Sequence, residues 1–163
     1  MAVLPDPTTA PELFEGVLTR RVFAFGIDAA IMAAMLLVVT IVGAIAGFFT
    51  FGLAWVSLVV AIPAVIVLYY AATLGSPRRA TIGMRAMDLV LTPTRGAPLD
   101  GPLAFLHVAM FWLTIWISWP VSIAFALFSP RQQMVHDLIV GTLMVRRSPM
   151  ARHWSARRAS TQA

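Results

Sequence analysis

The sequence predicts an all-α integral membrane protein: a bundle of three hydrophobic segments with short cytoplasmic interfacial elements. Three observations predict it. Of 163 residues, 60% are hydrophobic and 12% charged, with a mean hydropathy of +0.84, against about 45–50% and about 25% in an ordinary soluble domain. A chain this short still exposes much of its surface when folded, so one small core cannot hide the excess. The charges are also far apart: 49 uncharged residues separate Asp28 from Arg78, and residues 101–130 carry no charge at all.

A membrane span needs roughly 20 residues. The first uncharged stretch therefore holds two spans, about 22–49 and about 53–74, joined by a tight turn at Thr50, Phe51 and Gly52. Pro63 falls inside the second span, where lipid-embedded helices tolerate it. Trp55 near one end and Tyr69 and Tyr70 near the other read as interfacial aromatics. The third stretch, about 103–128, holds His107, Trp112, Trp116, Trp119 and Pro120. It is either one generous span or a Pro-broken re-entrant hairpin. Residues 1–19 read as a flexible, Pro-rich, mildly acidic tail without the features of a cleaved signal. Residues 148–163 read as a mobile basic tail.

Absences exclude several classes. There is no Cys, hence no disulfide and no thiolate site. There is no Lys, hence no phosphate-loop lysine and no Schiff base. All twelve basic residues are Arg, against seven acids, for a net charge of +5. In a soluble protein this surplus suggests nucleic acid. In a membrane protein it marks the cytoplasmic side, so no nucleic-acid partner is expected.

The Arg positions bear on topology. The turn between the first two spans has none, whereas Arg20, Arg21, Arg78, Arg79, Arg85 and Arg95 flank their other ends. That places the N-terminus in the cytoplasm. A single crossing by the third segment would put Arg131, Arg146, Arg147, Arg152, Arg157 and Arg158 outside and erase the bias. A returning segment keeps every Arg on one side, and the reading favours it, although two arms of about 13 residues reach only about 20 Å each.

An acid inside a span is costly and marks a candidate functional site. Asp28 is such an acid. Its expected partner is Arg21, seven residues earlier and within about 20° of the same helix face, with an Arg from another segment as the alternative. Asp137 follows His136 and precedes a Gly141 that can end a short amphipathic interfacial helix. A His beside an Asp can relay protons near neutral pH, or simply form a helix-end hydrogen-bond network. His107 reads as an interfacial hydrogen-bonding group. Gly43 and Gly47 form a Gly-x-x-x-Gly pattern suited to close helix packing, within one chain or between copies. Metal-ligand spacing, a phosphate loop, a dinucleotide fingerprint and a nucleophile triad are all missing, so no cofactor, no metal and no catalytic residue is expected.

The residues also resemble a known family. Thr19-Arg20-Arg21 leads to Asp28, the loop carries Ala80-Thr81-Ile82-Gly83-Met84-Arg85, and the chain closes with Arg131-Gln132-Gln133-Met134-Val135-His136-Asp137-Leu138-Ile139-Val140-Gly141-Thr142. This is similar to the RDD family of small bacterial membrane proteins, over roughly residues 19–147. The resemblance implies Arg20 or Arg21, Asp28 and Asp137 as its named residues, Thr81, Gly83 and Arg85 as its loop motif, and a bacterial inner membrane. One departure is Met84, where the family commonly has Lys. If Arg21, Asp28 and Asp137 form one site, the third segment must return. Two β-like runs, Met87 to Leu91 and Thr142 to Val145, would then pair beneath the membrane.

Two functions from different classes follow as expectations. One is ion, proton or small-molecule transport, which three segments per copy allow only in a homo-oligomer. The other is a non-catalytic structural or accessory subunit, recruiting a partner or anionic lipid headgroups through its Arg-rich loop and tail. A lipid-acting enzyme lacks a nucleophile here and ranks well behind both.

Overall fold

The computed structural model describes residues 6–94 and 101–162, with side chains described as far as Ser155. The first five residues of the N-terminal tail, Arg95 and the side chains of Arg157 and Arg158, all drawn into the sequence reading, lie outside the described residues. The chain is mostly helical. Its elements are a 3₁₀ turn at Pro11–Leu13, α1 (Val17–Phe49), α2 (Leu53–Leu74), α3 (Ile82–Ala86), β1 (Leu89–Pro93), α4 (Gly101–Phe128), α5 (Val135–Val140), β2 (Thr142–Arg146) and α6 (Arg147–Gln162).

Lipid offers the backbone no hydrogen-bond partners, so an apolar run of this length must satisfy its own as a helix. Three helices are long and apolar enough to cross a membrane: α1 with the turn before it, α2 and α4. The 33 residues of α1 span about 50 Å at 1.5 Å per residue. That exceeds the apolar core of a bilayer, about 30 Å, and leaves its first turns at headgroup depth. The turn to α2 passes through Phe51 (φ 52°) and Gly52 (φ 92°), both left-handed. α1 and α2 pack antiparallel. A Cβ on Gly43 would fall within 2.4 Å of the Leu58 side chain, and one on Gly47 within the Trp55 ring. The Gly-x-x-x-Gly pair therefore serves packing inside the chain and is already occupied. Most large apolar side chains on the outer faces of α1 and α2 are exposed, Val42, Phe49, Val59 and Val60 among them, as lipid-facing surfaces must be.

The third segment bends at Ser118 (φ −160°, ψ 62°), two residues before Pro120. Its two ends lie at the same end of the molecule. Gly101 approaches so close to Gly75, at the end of α2, that a Cβ on Gly75 would sit 3.5 Å from its Cα. Just past the other end, Gln132 Oε1 accepts from the Leu18 amide at the start of α1, 3.0 Å away. This is the returning arrangement that the Arg distribution favours. Proline cannot donate its missing N–H and clashes with the preceding turn, which localises the bend.

Beneath that end, β1 and β2 pair antiparallel, Val90 opposite Val145 and Leu91 opposite Met144. The runs expected to pair do so, with β1 two residues further along. Side chains alternate across the pair. Leu89, Leu91 and Met144 enter the core shared with the helices, while Val90, Leu143 and Val145 enter a second core with Ala10, Leu13, Phe14 and Met150.

This second core corrects both tail expectations. Leu13 and Phe14 are 1% and 4% exposed, so the segment ahead of α1 is packed rather than flexible. The C-terminal stretch forms α6, anchored by Met150 and Trp154, with Ser148 N and Oγ both donating to Asp88 Oδ1. Neither segment has a periodic apolar face, because each contributes only two or three anchors to a core closed by the strands. Leu13→Ala should therefore lower unfolding stability by about 2–5 kcal/mol, read by thermal or denaturant unfolding in detergent. A change near zero would mean the segment carries no packing energy.

Candidate functional site: a buried charge cluster

Asp28 lies about three turns into α1 and is 5% exposed. Its carboxylate is not paired with Arg21, contrary to expectation. It accepts from Tyr69 Oη at 2.5 Å, from Thr81 Oγ1 at 2.5 Å and from the Gly83 amide at 2.7 Å. These are the short distances of charge-assisted bonds. Three elements thus converge on one acid. The loop motif explains itself here. Thr81 caps α3 by accepting from Met84 N at 3.1 Å while donating to Asp28. Gly83 brings its amide to the acid because a Cβ there would stand 2.1 Å from the Ala24 carbonyl oxygen. Among the described residues, the Arg85 side chain makes a long 3.4 Å contact to the Thr81 carbonyl and does not bond either acid. Met84, in the departing position, lines the same cavity as Asp28.

Arg21 instead bonds Asp137, Nη1 to Oδ2 at 2.6 Å, across 116 residues of sequence. The helix that favours an Arg21–Asp28 pair by face still separates the two along its axis, and α5 supplies a carboxylate at Arg21's own depth. Arg20 points elsewhere, donating to the Met87 carbonyl at 3.0 Å. Of the two arginines, Arg21 is the one that joins the buried cluster.

Asp137 is fully buried. Its Oδ2 also accepts from the Met134 amide at 3.0 Å, so the same acid caps α5 from its third position. Gly141 (φ 75°) ends α5 as expected. Leu138 and Ile139 face outward, while His136 and Asp137 face the protein, because outside here means lipid rather than water. Oδ1 of Asp137 has no hydrogen-bond donor and faces His136 Nε2 at 3.4 Å and His107 Nδ1 at 3.8 Å. His107 is 6% exposed, and its Nδ1 meets Thr142 Oγ1 at 3.0 Å.

Burial alone would raise the Asp137 carboxyl. The opposing pull of Arg21, helped by His136 and His107, outweighs it and holds the group below its ordinary range. Burial pushes His136 down, against the attraction of Asp137, so it stays neutral at neutral pH.

Arg21, Asp28, His107 and His136 all line one cavity of about 420 Å³ beside α1 and α4, whose other walls are mostly apolar, Phe25 and Trp119 among them, with Tyr70 and Thr81. The RDD family model matches residues 16–141. The chain belongs to the RDD family. The matched stretch includes every residue of the cluster except Thr142, which follows it directly. No curated protein and no solved structure matches this RDD chain. Sequence reasoning missed two members of the site. Tyr69 reads as a belt aromatic, yet it is buried and holds Asp28. His107 reads as interfacial. The only available signal was that each is a polar group inside an otherwise apolar run.

Gly83→Ala should drive α3 off α1 and cost about 1–3 kcal/mol in detergent unfolding, with Asp28 left short of a donor. Acid should also weaken the fold in a defined window. His136 in the unfolded chain takes up a proton below about pH 6.5, while the folded protein, with Asp137, His107, Arg21 and Thr114 around the ring, resists it. Stability should therefore fall as pH drops through that range, and His136→Gln should flatten the slope.

Proposed function

We propose that this RDD protein moves a small cation, the proton foremost, across the membrane, with Asp28 as the exchanging group. The observation that supports this reading is the state of Asp28. It is a buried carboxylate within a membrane helix, it lines a cavity, and no Arg or His forms an ion pair with it among the described residues. Hydroxyl and amide donors stabilise its charge without neutralising it. A cation arriving through the cavity supplies what those donors lack, and a carboxylate not committed to a guanidinium is free to release that cation again. Asp137, by contrast, is committed to Arg21, which suits it to holding the assembly together.

One copy offers two full-length helices and one bent segment, too little to enclose a pathway. Transport then needs several copies, associating through faces other than the occupied Gly43 and Gly47. Purified protein in liposomes, loaded with a pH-sensitive dye, tests the reading. Asp28→Asn should abolish cation-dependent proton flux while gel-filtration size and helical content stay unchanged. Flux equal to that of the unaltered protein would overturn it. Loss of fold together with flux would favour the accessory reading, in which Asp28 is a lock between α1, α2 and α3.

A further inference from the structure

The geometry points to a mononuclear zinc-type site made by His107, His136 and Asp137, with a fourth position left for water or a solute from the cavity that the histidines line. One nitrogen from each histidine and one carboxylate oxygen lie within 4.8 Å of one another, and all three residues are buried. The separations are the informative part. His136 Nε2 and His107 Nδ1 stand 3.4 and 3.8 Å from Asp137 Oδ1, beyond the usual hydrogen-bond range of about 2.7–3.2 Å. Zinc bonds to nitrogen and oxygen are about 2.0–2.2 Å, in a tetrahedron. The edges of such a tetrahedron are about 3.3–3.6 Å; the two that end on Asp137 Oδ1 lie within a few tenths of an ångström of that, the two imidazole nitrogens lie within 4.8 Å of each other and must draw closer, and His107 Nδ1 must exchange its bond to Thr142 Oγ1 for the ion.

Independently, Asp137 Oδ1 is a fully buried carboxylate oxygen with no hydrogen-bond donor. An orphaned acceptor of that kind is costly, and an ion between it and two imidazoles removes the cost. The groups behind the ligands are also in place. Asp137 Oδ2 is fixed by Arg21 and the Met134 amide, and Thr114 Oγ1 stands 3.4 Å from His136 Nδ1, close enough to bond it after a small shift. Such partners orient ligands and tune their basicity. Two imidazoles and a carboxylate, with one open position, are a donor set suited to Zn²⁺.

The charge balance selects the occupant further. Arg21 on the far oxygen already offsets Asp137, so a divalent ion adds positive charge to a buried place. Asp28 on the same cavity counters part of it. The rest favours an anionic fourth ligand, hydroxide before water. The site stands apart from the transport reading, because binding is measured at equilibrium without flux and depends on His107 and His136, whereas flux depends on Asp28.

The test is titration of the detergent-solubilised full chain, purified without a polyhistidine tag, with Co²⁺ and then Zn²⁺. One Co²⁺ per chain should bind with the intense visible absorption of a tetrahedral centre, and Zn²⁺ should displace it. His107→Gln and His136→Gln should each weaken binding at least tenfold, and Asp28→Asn should leave the stoichiometry at one. Absence of the tetrahedral spectrum in the unaltered protein would overturn the proposal whether or not the variants fold. Binding that survives both histidine substitutions would overturn it as well.

Discussion

Two carboxylates are held out of water near one end of the first helix, and the rest of the architecture is arranged to satisfy them. An isolated buried carboxylate costs several kcal/mol even after relaxation. Asp28 is satisfied by donors from α2, the loop and α3. Asp137 is held at one oxygen, Oδ2, by Arg21 and the Met134 amide. Because Arg21 sits at the start of α1, its bond to Asp137 fixes the side on which the chain must emerge from the third segment. The bend at Ser118 is the geometric consequence.

The two acids meet this requirement by different chemistry, and that difference separates their roles. A guanidinium bond at 2.6 Å inside low dielectric is hard to open. It joins α1 to α5 and thereby to the strand pair. Hydroxyl donors, by contrast, can rotate and exchange partners. The adaptable acid thus faces a cavity that Arg21 and two buried histidines also line, while the fixed acid lies behind them, bonded to Arg21. The strand pair supports the arrangement from below. Both of its faces are buried, one against the helices and one against α6 and the segment ahead of α1. Asp28 and Asp137 are therefore positioned by a folded cap and not by the helices alone.

The legible parts of the molecule were those set by one-dimensional physics. Long apolar runs had to be helices in lipid, so α1 and α2 and the turn at Phe51 and Gly52 followed. Asp28 stood out because an acid is rare within a span. Gly141 stopped α5 where a left-handed residue was needed. The poorly legible parts were those where polarity meant something different in context. Tyr69 and Tyr70 looked interfacial by position, though both are buried in the core that the helices and the loop share. His107 looked interfacial by position as well, yet it is buried beside Asp137.

The sequence by itself determined the membrane class, the two antiparallel helices, the family motifs and the identity of the two acids. Charge spacing and hydropathy are local properties, readable without knowing what touches what. Only the tertiary structure decided which Arg serves which Asp, that Tyr69 and His107 belong to the cluster, and that both tails close a second core. Each of those outcomes depends on a contact between residues tens of positions apart, such as Arg21 with Asp137 or Tyr69 with Asp28. No periodicity in either segment encodes its partner, since the pairing is fixed only when the returning segment brings the two ends of the chain together.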